Sequence, residues 1–424
     1  MHAPRQPAPL QRSRGGATVA WLLALALVCA GGLAFLAGGF DALLRSDPVA
    51  EEAEADDALA TEPMPAARAV GEPAPSQGPG AAAPADGGSP SSDPVHRNNR
   101  AVELLEGGEL DEAIELFEQV VSEAPENETY RANLRNALLR RANELTGSDP
   151  DAAATDYERA LELAADDATR ERIAGSRDRA RAIASEEKDF VVESTLHFTF
   201  RFDGAREEII GGVDELKVIL EAAYQEYGEI FRRRPVEEGE PRIEVVLYRS
   251  EGFNAVTGLG DWAGGVFDGT IRVPADDLRD RARVLRLRSV LRHEVAHAFT
   301  ASIGGKEVPA WLNEGVAQWL EDPGATSGKV RLARGRLGAA GQPLFPLSEL
   351  QGTLARWQDR ARISRAYDQA LAFTDYLAQT YGSDLVFEMV AACDSGGASG
   401  AAEHFRGTLL VDLDVVLGDF RDGL

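Results

Sequence analysis

The spacing of apolar residues divides this chain into five stretches. After a short polar start (1–16), no residue from Ala17 to Phe40 is charged, and that run is long enough to cross a bilayer core of about 30 Å as a helix. Over 41–96 the apolar residues lose all period, and Ala, Pro, Gly, Ser, Asp and Glu dominate. Such a segment buries too little apolar surface to offset chain entropy, so it is expected to be a disordered acidic linker. Over 97–187 the spacing becomes helical: Ala101, Leu104 and Leu105, then Ala113, Ile114, Phe117, Val120 and Val121, closed by Ala124-Pro125. From 188 onward strands come first. Phe190-Val191-Val192 and His197 to Phe202 alternate as strands do, Glu207 to Phe231 reads as a long amphipathic helix, and Ile243 to Tyr248 reads as another strand. Trp262 to Pro274 predicts a tight turn leading into an edge strand. A helix capped by Asp276 or Asp277 is then expected through Leu278, Leu285 and Leu291 to Gly304-Gly305, with helices to the C-terminus. Strands followed by helices predict an α+β domain over 188–424.

Charge orients the first stretches. Arg5, Arg12 and Arg14 precede the apolar run, and Asp41, Asp47, Glu51 and Glu52 follow it. This predicts a basic cytoplasmic N-terminus (1–16), a transmembrane anchor (17–40) and an exported remainder in the periplasm or at the cell surface. A signal sequence cut near Val28-Cys29-Ala30 is the alternative. The linker would hold the folded part away from the membrane.

The helical stretch carries an internal echo. Ala113, Phe117 and Val120 return as Ala153, Tyr157 and Ala160, forty positions on. Small residues at close helix approaches, an aromatic one turn on and a closing proline resemble tetratricopeptide repeats, whose usual period is about 34 residues. An insertion around Glu144–Pro150 would absorb the difference. The resemblance implies a concave surface able to hold a protein partner. A plain helical hairpin packed on the next domain fits the same pattern.

The chemistry lies in His293-Glu294-Val295-Ala296-His297 and, seventeen residues further on, Glu314. Histidines four apart on a helix share a face, so both imidazoles can reach one ion. Glu294 then sits where a carboxylate can take a proton from a bound water. A catalytic zinc needs three protein ligands and an open position. Glu314 is well placed to be the third, because Gly304–Pro309 is a short connection and the two helices can run antiparallel. One Zn2+ per chain is expected. Glu321, two turns after Glu314, is a candidate to hold a histidine ligand, and Asn313 is a similar candidate.

HEVAH followed by Trp311-Leu312-Asn313-Glu314-Gly315-Val316-Ala317 resembles the gluzincin zinc metallopeptidases, and among smaller relatives the exported peptidase MA-like domains. The resemblance covers about residue 190 to the C-terminus and is sharpest over Arg292–Glu321. It implies a thermolysin-like fold with a small mixed sheet, metal ligands His293, His297 and Glu314, and Glu294 as general base. It also implies that Tyr367, in Ala366-Tyr367-Asp368-Gln369-Ala370, donates to the oxyanion; a core aromatic is the plainer reading of Tyr367. One departure narrows the expectation. Where the aminopeptidase branch carries a glutamate for the substrate's free amine, this chain has Gly264–Gly269, GGVFDG. An edge strand there can still bind an extended peptide, which favours an endopeptidase.

Composition adds exclusions. The net charge is −26, from 70 acidic against 44 basic residues, so nucleic acid is not an expected partner. The two cysteines, Cys29 and Cys393, provide no disulfide framework and no metal site. The reading is therefore a membrane-anchored zinc metallopeptidase acting on peptide or protein substrates. The alternative is an envelope scaffold that binds partners through its repeats and carries an inactive or structural metallopeptidase domain.

Overall fold

The computed structural model describes residues 93–236, 241–259, 263–339, 341–354, 357 and 359–424. The expected anchor over 17–40 and nearly all of the acidic linker lie outside these residues. Among the described residues no helix is long and apolar enough to cross a membrane. They form a mostly helical α+β structure with thirteen α-helices and one five-stranded mixed sheet.

The helical array comprises α1 (Pro94–Gly107), α2 (Leu110–Glu123), α3 (Glu128–Leu145), α4 (Pro150–Glu162) and α5 (Asp167–Glu186). Its starts are written locally. The side chains of Asp93, Asn127, Asp149 and Asp166 each accept from a backbone N–H of the first turn, and Pro94 and Pro150 sit where a missing N–H costs nothing. The Asp93 cap brings α1 in ahead of position 97, so the linker ends earlier than its composition suggested. Each helix packs on the next around Ala113, Phe117, Ala137, Ala153, Tyr157 and Ala160, all buried. The caps Asp93 and Asn127 are 34 positions apart. The longer step between the alanines arises because α3 has 18 residues against 14 in α1, and because the turn before α4 is longer. Between α1 and α3, the buried Asn98 Oδ1 accepts from Asn133 Nδ2 at 2.9 Å.

The sheet runs β1 (Phe190–Ser194), β2 (Phe198–Asp203), β3 (Ile243–Tyr248), β5 (Ile271–Pro274), β4 (Val266–Phe267) in spatial order. The β2–β3 and β3–β5 pairs are parallel and the two outer pairs antiparallel. The GGVFDG stretch therefore supplies the edge itself, β4, while the expected edge segment β5 is paired on both sides. α6 (Glu207–Phe231) links β2 to β3, and α7 (Ser250–Thr257) follows β3. Phe198, Phe200, Phe202, Val245 and Leu247 face the main core with α6 and α8 (Arg281–Gly304). On the opposite face Val246 and Tyr248 pack with Phe253 and Val256 of α7 and with Ile183 of α5. Burial on both faces explains why β3 reads as a continuous apolar run.

α5 thus serves two cores, since Ile173 and Ala180 belong to the array and Ile183 to the sheet. The division expected after residue 187 falls beyond this helix, not between independent units. α8 starts later than expected, with Asp280 as its cap, accepting from Ala282 N. Asp276 instead accepts from Ser250 N at 2.9 Å and Ser250 Oγ at 2.6 Å, and Asp277 holds Arg279. The chain finishes with α9 (Ala310–Leu320), α10 (Thr326–Ala339), a 3-10 turn (Leu347–Leu350), α11 (Arg360–Tyr381), α12 (Ser383–Leu409) and α13 (Leu413–Asp422).

Candidate metal centre

Two helices carry the candidate ligands. α8 is fixed by Phe299, whose ring lies 5.2 Å from Tyr224, 5.7 Å from Tyr227 and 5.5 Å from Phe231, all on α6. α9 is drawn onto α11 at Gly315. A Cβ there would fall 2.1 Å from Thr374 Oγ1 and 2.6 Å from the Ala370 carbonyl oxygen, so the residue after Glu314 has to be glycine for the helices to close. The C-terminal end of α9 is tied to α8 by Arg292, whose guanidinium donates to the carbonyls of Leu320 (3.1 Å) and Glu321 (3.0 Å). Tyr227 donates to the Leu320 carbonyl as well, at 2.9 Å.

These contacts bring His293, His297 and Glu314 together. The two Nε2 atoms are 3.1 Å apart, and Glu314 Oε2 lies 3.4 Å from His293 Nε2 and 3.6 Å from His297 Nε2. His293 Nδ1 donates to Glu321 Oε2 at 2.8 Å, and His297 Nδ1 donates to Asn313 Oδ1 at 3.0 Å. With the proton of each neutral ring on Nδ1, both Nε2 atoms present lone pairs. Glu314 Oε2 is buried and accepts no hydrogen bond. With both rings neutral, three acceptors converge, an arrangement that calls for positive charge between them, supplied by a metal ion or else by the protons that Glu314 and Glu321 favour on the histidines. An ion held tetrahedrally by bonds of about 2.0–2.2 Å keeps its ligand atoms about 3.3–3.6 Å apart; the two edges to Glu314 fall in that range and the 3.1 Å edge between the histidines is slightly shorter. These three residues form a group able to hold a metal ion.

The partners behind the histidines are themselves anchored. Glu321 Oε1 accepts from Lys329 Nζ at 2.6 Å, and Thr300 Oγ1 donates to Asn313 Oδ1 at 2.5 Å. Thr300, Lys329 and Arg292 were not singled out from the sequence. No local pattern marks them: Arg292, just before HEVAH, shares its face of α8 with Arg288 and Ser289.

Two carboxylates here are driven in opposite directions. Burial raises the Glu294 pKa, as do the charges of Glu314 and Glu321, and together they outweigh the two histidines. Burial acts the same way on Glu314, but His297 and His293 overcome it and hold the carboxyl far below its ordinary range. Burial also pushes the Tyr367 phenol well up, reinforced by the nearby charges of Glu314 and Glu294 and a polar contact with Glu314. The Tyr367 backbone carbonyl accepts from Gln318 of α9 at 3.1 Å. Tyr367 thus lies at the site and is half-buried, not sealed in the core.

The edge strand closes one side. A Cβ on Gly265 would sit 2.7 Å from Val290 Cγ1 and 3.1 Å from Glu294 Oε1, so β4 lies directly against the helix that carries the motif. Asp268, the nearest acid in that segment, is committed elsewhere. It is held in ion pairs with Arg179 and Arg272, and its Oδ1 accepts from Thr270 N at 3.2 Å.

No family model and no curated protein matches this chain.

Proposed function

We propose that this protein is a zinc-dependent metallopeptidase of the gluzincin type, and that His293, His297 and Glu314 hold the ion. The observation that carries the reading is the convergence of two imidazole lone pairs and one ionised carboxylate beside a second, proton-accepting carboxylate. Two nitrogens and one oxygen suit zinc. A zinc ion there would lower the pKa of a bound water to about 7 and polarise a substrate carbonyl.

The protein's own groups supply the rest. The Glu294 carboxylate takes the proton of the attacking water and can pass it to the departing amine nitrogen. The Tyr367 hydroxyl donates to the charge that develops on the attacked carbonyl oxygen. The outer edge of β4 offers backbone groups to an extended peptide. Because Asp268 is occupied by two arginines, no carboxylate in this segment is left for a substrate's free amine, which favours cleavage within chains. The α1–α5 array resembles tetratricopeptide repeats and offers a surface for a protein partner. The apolar run over 17–40 would place the centre outside the cytoplasm.

Glu294→Gln is the direct test. The variant should bind about one zinc per chain, as the wild type does, and lose peptide hydrolysis. Equal cleavage by the two purified proteins would end the proposal.

A further inference from the structure

The last helix of the array reaches the edge strand over the candidate centre. Arg179 of α5 forms a partly exposed ion pair with Asp268, in the turn between β4 and β5. Asp268 is shared with Arg272 of β5, and Arg272 pairs in turn with Glu187, just beyond α5, at 3.3 Å. Glu187 also holds Arg201 of β2 at 2.6 Å and accepts from the Tyr248 hydroxyl. A chain of alternating charges thus runs from the array, across the far face of the sheet, to the hairpin. Burial alone would raise the Asp268 pKa, but Arg272 and Arg179 hold it below the ordinary range, so the pair is ionised.

β4 needs such support. It is two residues long and, among the described residues, pairs only with β5, through Val266↔Arg272 and Phe267↔Ile271. A two-stranded pairing of that length is marginal by itself. Its position matters because Gly265 lies against Glu294 and Val290, so a shift of the hairpin changes the space above the general base.

We infer that Arg179 is a positioning residue: through Asp268 it holds the β4–β5 hairpin over Glu294, so that the helical array completes the peptide-binding edge of the metal centre. This rests on the peptidase reading for its substrate, an extended peptide paired along β4. The position of the hairpin can be measured without any substrate.

The experiment uses the full chain with Arg179→Met and Arg179→Lys, both loaded with zinc. Amide hydrogen exchange over 263–274 should accelerate about tenfold or more in Arg179→Met, the effect of removing one charge-assisted contact from a locally opening segment. On an extended peptide KM should rise about tenfold while kcat stays within about twofold of wild type, since uniform binding is what β4 supplies. Zinc content should be unchanged. Arg179→Lys, which restores the charge without the planar fork, should recover most of both losses. If Arg179→Met does not fold, Arg179→Gln takes its place. Wild-type exchange together with wild-type KM in whichever variant folds overturns the assignment, as does a loss confined to kcat. If the wild type cleaves no peptide, the peptidase reading fails and the exchange measurement still decides whether Arg179 holds the hairpin.

Discussion

Glu321 offers the most quantitative test of the centre. Its carboxylate accepts the Nδ1 proton of His293 at 2.8 Å and is balanced on its other oxygen by Lys329. His293 Nδ1–H to a carboxylate is a charge-assisted hydrogen bond, of the kind that contributes about 1.5–3 kcal/mol. At 1.4 kcal/mol per decade, Glu321→Ala should weaken metal affinity by about 10- to 100-fold, within the range seen for groups that orient metal-bound histidines. Glu321→Gln keeps a neutral acceptor and should lose about tenfold or less. The bond from His297 Nδ1 to Asn313 Oδ1 is neutral, so Asn313→Ala should cost about 2- to 10-fold. The order Glu321→Ala, then Glu321→Gln and Asn313→Ala, is the content of the prediction. Competition titration of zinc against a chelator of known affinity measures it on the three purified variants. Affinities equal to wild type in Glu321→Ala would refute the view that this carboxylate orients His293 for a metal. The histidine pair would then be no more than a buried hydrogen-bonded cluster.

Two further substitutions separate chemistry from architecture. Tyr367→Phe should leave zinc content intact and lower kcat by about 10²–10³-fold, as removal of an oxyanion donor does; unchanged kcat would return Tyr367 to the role of a core aromatic. Gly315→Ala inserts a methyl group where Thr374 and the Ala370 carbonyl already stand, so it should destabilise the fold by about 1–3 kcal/mol in a denaturant titration and weaken zinc binding as Glu314 is displaced. A stable Gly315→Ala with native metal affinity would show that α9 and α11 can separate freely.

Much of the fold was legible because its signals are local. α6 and β3 begin and end where the apolar spacing predicts, since each is a long uninterrupted pattern. The convergence of His293, His297 and Glu314 was also legible, because helix geometry places the first two and a short connection returns the third. What escaped were contacts between residues far apart in sequence. Asp276 and Asp277 look like helix caps, but Asp276 is drawn to Ser250, and Asp280 takes the cap. The pairing of Asp268 with Arg179, from another part of the chain, is likewise invisible in the local pattern. The role of Arg292 depends on carbonyls at the end of α9 that no local pattern reveals.

The sharing of α5 between two cores has a consequence for how this protein can be divided or inherited. Repeat arrays of this general kind are often regarded as modules that can be exchanged between proteins at a loop. Here the nearest loop on the array side precedes Asp167, not residue 188. A fragment that begins at residue 188 would bare Val246, Tyr248, Phe253 and Val256 and leave Arg272 and Arg201 without Glu187. The smallest exchangeable unit that contains the candidate metal centre therefore includes α5. Any recombination that preserves the centre must also transfer a helix whose other face was shaped by the array.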